Sequence, residues 1–174
     1  GGNPDVRVLA YDEAAGTVSF YTDRHPDGLH GVREFHRIVY EEIYEHIDLE
    51  LLSNGGRMKY NFIVRPGGRP GDIRMRYDNA SDVLVGADGS LSISTPLGSM
   101  REDAPVCWTE ADREAVAAVF SLRGATVGFE IGDYDENNTL IIDPWATYYG
   151  GSDWDGGHNI AVDNNGNIFV SGHA

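Results

Sequence analysis

Twenty-two of the 174 residues are glycine, and they are spread along the whole chain, cutting it into short apolar runs. Glycine loses backbone entropy inside regular elements and supplies the positive φ that tight turns need. This punctuation therefore favours many short strands joined by turns. Residues 6–11, 17–21, 49–52, 58–64, 73–77, 83–85, 91–94, 117–122, 126–131 and 140–142 alternate or are continuously apolar over strand lengths. The expected fold class is all-β, with a β-sandwich-like N-terminal domain.

Turn chemistry joins several of these runs. In Ala87-Asp88-Gly89-Ser90, Asp88 can hydrogen-bond the backbone ahead and Gly89 can take positive φ, so a hairpin is expected there. Ser53-Asn54-Gly55-Gly56 reads the same way, and residues 12–16 and 123–125 are two further glycine-bearing connections. Pro66-Gly67-Gly68-Arg69-Pro70-Gly71 reads as a loop between strands. Two stretches carry a different period. Tyr40, Ile43, Tyr44 and Ile47 fall at i, i+3, i+4 and i+7, which predicts a brief helical turn leading into a strand. Thr109 as a cap with Asp112 three residues on predicts a second short helix over residues 109–118.

The charge balance narrows the function. There are 28 acidic residues against 13 basic ones, a formal net charge of -15, and Lys59 is the only lysine. Such a surface disfavours nucleic acid and anionic lipid, which both require clustered positive charge. No apolar run reaches the length of a membrane-spanning helix. Cys107, the single cysteine, excludes an intramolecular disulfide; within Pro105-Val106-Cys107-Trp108 it reads as a buried, inert thiol.

No catalytic signature stands out. There is no Gly-x-Ser-x-Gly elbow, and His25, His30, His36, His46, His158 and His173 show no zinc-ligand spacing. Carboxylates are abundant, but nothing pairs two of them, so a carboxylate-based hydrolase is only an alternative. Calcium is the one ion with a partial template. Asp133, Asp135 and Asn137 occupy the first three oxygen positions of an EF-type loop, but the twelfth position is Pro144. No cofactor is expected, with calcium at Asp133, Asp135 and Asn137 as the alternative.

After Asp143-Pro144, glycine, aspartate and asparagine become dense, which sets a boundary between residues 1–144 and 145–174. In the second part, Ile160-Ala161-Val162 and Ile168-Phe169-Val170 flank Asp163-Asn164-Asn165-Gly166. Asp163 and Gly166 are turn formers, so the two bursts read as a hairpin, half of a four-stranded propeller blade. The order Tyr148-Tyr149-Gly150-Gly151-Ser152, Asp155, Ile160-Ala161-Val162-Asp163, Gly166-Asn167, Val170 and Gly172 resembles the SBBP-type β-propeller repeat of bacterial surface proteins. The preceding residues resemble the β-rich domain that often sits before such repeats. Tyr40, Tyr44, Ile47-Asp48-Leu49, Lys59-Tyr60-Asn61-Phe62, Pro66-Gly67, Ile73, Asp88-Gly89, Leu91, Pro105, Phe129 and Leu140 to Pro144 carry that likeness. Residues 1–34 contribute nothing to it, and Glu41-Glu42 and Glu45-His46 are more acidic than the pattern.

The resemblance implies a non-enzymatic structural or adhesive module of a large secreted or cell-surface bacterial protein. Its expected partners are further repeats of the same polypeptide, or other surface proteins, added by β-edge packing; nucleic acid is not among them. A glycan-binding or calcium-binding module is the alternative, with Trp145, Tyr149 and Trp154 as aromatic platforms. Because half a blade cannot bury both its faces, and because the chain opens Gly-Gly-Asn-Pro without a methionine, a piece of a longer protein is expected.

Overall fold

Short alternating runs separated by turn formers leave the backbone one way to satisfy its hydrogen bonds, which is to pair neighbouring runs antiparallel. A computed structural model of the protein describes residues 2–22, 24–54, 57–96, 98–144, 146–150, 156–162 and 168–173. These residues form fifteen strands and one 3-10 turn over Pro70–Asp72. The first four strands are β1 (Arg7–Thr22), β2 (His25–Tyr44), β3 (Ile47–Asn54) and β4 (Arg57–Val64). A second meander follows, β5 (Asp82–Val85), β6 (Leu91–Thr95) and β7 (Gly98–Glu102). Then come β8 (Val106–Thr109), β9 (Ala115–Val116), β10 (Ala118–Arg123), β11 (Thr126–Ile131) and β12 (Leu140–Asp143). The chain continues into β13 (Ala146–Gly150), β14 (Gly156–Val162) and β15 (Ile168–His173).

The strands assemble into a seven-stranded sheet of order β1-β2-β3-β4-β12-β8-β9 and a four-stranded sheet of order β13-β7-β6-β5. β10-β11 and β14-β15 are two-stranded. One face of the large sheet is covered by the four-stranded sheet and the β10-β11 hairpin, a sandwich-like all-β architecture as expected. Ile47, Phe62, Val64, Leu140 and Ile142 come from the large sheet. They pack in one core with Leu91 and Ile93 of β6 and with Phe120, Val127 and Phe129 of the hairpin. Each such side chain contributes about 1.5–3 kcal/mol by leaving water. Alternation explains the choice of residues: in β4, Phe62 and Val64 face the core, while Lys59 and Asn61 lie on the opposite face. β12 is buried along its whole length, which suits its central place and its continuous apolar run.

Turn chemistry holds at the β5–β6 hairpin, where Val85 pairs with Leu91 and Gly89 has φ +81°. It holds also at β10–β11, where Arg123 pairs with Thr126 around Gly124. β3 and β4 pair as far as Asn54 and Arg57, and residues 55–56 between them lie outside the described set.

Other expectations are overturned. The segment around Tyr40 to Ile47 is not helical. Tyr40 pairs with Leu49 and Tyr44 with Ile47, and a register shift separates the two pairs. Glu42 sits at φ 54° in that bulge, its N–H donating to Asp48 Oδ1 at 2.7 Å, and His46 takes φ 59° in the turn. Four residues of β2 there run against two of β3, and the two extra residues turned a period of two into an apparent helical spacing. The second expected helix is a turn. The Thr109 hydroxyl donates to the Asp112 carboxylate instead of accepting a main-chain N–H as a cap would, and Arg113 takes φ 61° after one i+4 bond, from Arg113 N–H to Thr109 O at 2.9 Å. Residues 12–16 do not reverse the chain; β1 runs through them with a register irregularity between Glu13 and Thr17. Residues 73–77 form no strand, only a Met75–Val127 bridge, because Ile73 is drawn into the core instead. Most of β2, together with β7, β8 and β9, was not anticipated.

Candidate functional site

The feature with most consequence for function is where the end of β12 hands over to β13. Ile142 pairs with both Phe62 of β4 and Cys107 of β8, so the large sheet holds β12 on both edges up to this point. Two residues later the chain changes sheets. β13 pairs antiparallel with β7, placing Ala146 opposite Glu102, Tyr149 opposite Met100 and Gly150 opposite Ser99. The strand that opens the C-terminal segment is thus the edge strand of the domain's own smaller sheet.

Two charged groups flank this junction. Asp143, the last residue of β12, is buried, and Lys59 Nζ lies 2.5 Å from its Oδ2. Asp143 Oδ1 is also buried and has no hydrogen-bond partner among the described residues. On the core side, Glu102 is 2 % exposed and accepts two hydroxyl hydrogen bonds, from Tyr60 to Oε2 and from Tyr77 to Oε1, each 2.7 Å long. Burial drives the Glu102 carboxyl above the usual glutamate range, and the two hydroxyl bonds partly offset it. Burial and the neighbouring Glu102 carboxylate likewise hold the Tyr60 and Tyr77 hydroxyls protonated.

The residues singled out from the sequence are not brought together. Asp88 lies in the β5–β6 turn, where its Oδ1 accepts from Ser90 Oγ at 2.7 Å and its Oδ2 from Arg101 at 2.6 Å. Those bonds hold its carboxyl well below the usual carboxylate range. Asp133, Asp135 and Asn137 are exposed after β11. Asp135 Oδ1 is engaged by the main-chain and side-chain N–H groups of Asn137 at 3.0 and 2.9 Å, an Asx turn. Among the described residues no group of three or more His, Cys, Asp or Glu side chains is arranged to hold a metal. Asp163, Gly166, Trp145 and Trp154 lie outside the described residues, though β14 and β15 do pair around the first two, with Val162 opposite Ile168. Cys107 is buried as expected, which raises its thiol to about 12.

Glu102 was missed. A charged residue in Ser99-Met100-Arg101-Glu102-Asp103 reads as solvent-facing loop, and only the alternation Met100, Glu102 against Ser99, Arg101 could have placed it inward.

This geometry defines an all-β domain that takes up, within its own sheet, the first strand of the segment that follows it. A family model described as a domain of unknown function (DUF7948) matches residues 1–145, and one described as a beta-propeller repeat (SBBP) matches residues 145–174. The chain belongs to the DUF7948 family and carries a β-propeller repeat at residues 145–174. Domain followed by repeat is the order expected from the resemblance. No curated protein and no solved structure matches the chain. Among the described residues no helix is long and apolar enough to cross a membrane.

Proposed function

We propose that this domain is a non-enzymatic structural base for a β-propeller repeat array, acting in attachment or assembly outside the cell or at a bacterial surface. One observation carries the reading. β13 falls within the residues matched by the propeller repeat, yet its hydrogen-bonded neighbour is β7 of the preceding domain. Repeat units depend on their neighbours for burial, and the terminal units need a specialised partner. A domain that lends its sheet to the first repeat strand supplies one. Its partners in this reading are further repeats of the same polypeptide, or other surface proteins, joined at strand edges. The net charge of -15 fits a soluble extracellular surface and offers no footprint for nucleic acid.

The test is a proline in the shared strand. Tyr148→Pro removes the main-chain donor that β13 presents to β7 opposite Arg101. If β13 is integral to the domain, thermal unfolding drops by about 3 °C for each kcal/mol lost. Amide exchange also quickens across Gly98–Glu102. An unchanged melting temperature with unchanged protection of β7 would sink the reading.

A further inference from the structure

Glu102 brings one carboxyl group to three parts of the fold. It ends β7, with Leu91 of β6 on one side and Ala146 of β13 on the other. Tyr60 reaches it from β4 of the large sheet, and Tyr77 from the segment after the 3-10 turn. That segment is tied in turn to the β10–β11 hairpin by the Met75–Val127 bridge. Both partners of the carboxylate are neutral hydroxyls. The charged groups on the surrounding elements are directed elsewhere: Arg101 to Asp88 and Asp103, Arg76 to Asp78, and Lys59 to Asp143 on the far face of the large sheet.

A second acceptor stands ready. Tyr60 Oη lies 3.5 Å from Met75 Sδ, as well as 2.7 Å from Glu102 Oε2. We propose that Glu102, Tyr60 and Met75 form a protonation-dependent relay that tightens the joint between the sheets, and with it the seat of β13, in mildly acidic conditions. With Glu102 ionised, Tyr60 and Tyr77 both donate to it. With a proton taken up from solvent, Glu102 donates to Tyr60 Oη, and the Tyr60 hydroxyl turns to Met75 Sδ. Every polar hydrogen keeps an acceptor in both states, and the protonated state is relieved of the cost of a buried charge.

The direction of the effect follows from burial, which lifts the folded-state Glu102 above its value in the unfolded chain. Its favourable contribution is therefore complete below the ordinary glutamate value of about 4.3. It is lost as pH rises through the folded value. The relay involves only the domain's own residues and holds whatever follows the repeat strand, so it stands or falls separately from the structural-base reading.

Two measurements test it in the 174-residue chain. Titration of the Glu102 side-chain carboxyl by carbon-detected NMR should give a midpoint above the ordinary glutamate range, and Met75→Leu should lower that midpoint by removing the second acceptor. Melting temperatures of wild type and Glu102→Gln should nearly coincide at pH 4 and separate by several degrees towards pH 8, with the glutamine variant the more stable. Parallel melting curves for the two proteins, or a midpoint unmoved by Met75→Leu, would overturn the proposal. Should Glu102→Gln not fold, the Met75→Leu titration decides it alone.

Discussion

The Phe62 and Phe129 rings meet edge to face with centroids 5.9 Å apart, one from the large sheet and the other from the β10–β11 hairpin. Phe129 also lies against Phe120, at 5.5 Å, so it joins the two layers and stiffens its own hairpin. Phe129→Ala would open a cavity at this contact and cost about 3–5 kcal/mol. Chemical denaturation should show that loss as a lower midpoint at constant slope. A loss under 1 kcal/mol would mean that the hairpin is not part of the core.

How much of this was legible beforehand depended on the residue. Val85 to Leu91 carries its turn in its own residues, so Asp88 and Gly89 could be placed without any knowledge of neighbours. Tyr40 to Ile47 could not, because a bulge at Glu42 is a property of pairing with β3 and leaves no mark on composition. β7 was hidden for a similar reason. Its inward Glu102 is tolerable only because Tyr60 and Tyr77, respectively 42 and 25 residues away in sequence, supply hydroxyls. Local chemistry was readable, whereas long-range pairing and polar compensation were not.

Asp88 should impose a pH dependence of opposite sign to that of Glu102. Its folded carboxyl is depressed, chiefly by the Ser90 side chain and Arg101. The stability it provides is present above the ordinary carboxylate range and is lost as pH falls through the folded value. Asp88→Asn should therefore melt below wild type at pH 7 and converge with it in strong acid. Added salt should narrow the pH 7 gap only in part, since the Arg101 pair is screened and the Ser90 bonds are not. A gap that is constant from pH 7 to pH 2 would refute the assignment.

Cys107 gives a probe of global opening. Its thiol is buried and raised to about 12, and the thiolate is the reactive form. At pH 7.5 an aromatic disulfide reagent should leave the native protein unlabelled and react with one equivalent after denaturation. Rapid labelling of the native protein would show that β8 is accessible.

The Lys59–Asp143 pair should be asymmetric. Asp143 has 10 % of its side chain exposed and Lys59 has 31 %. Lys59→Met therefore strands a buried carboxylate at the end of β12, a loss of about 3 kcal/mol. Asp143→Asn leaves an ammonium group that can extend towards water on its flexible stem, a loss of about 1 kcal/mol. The double variant should therefore be more stable than Lys59→Met alone, because the stranded charge is gone. Denaturation of the three proteins forms a double-mutant cycle with positive coupling. Equal losses from the two single changes would show that Asp143 reaches solvent, and that the end of β12, where the chain passes to the repeat, is held by backbone pairing rather than by charge.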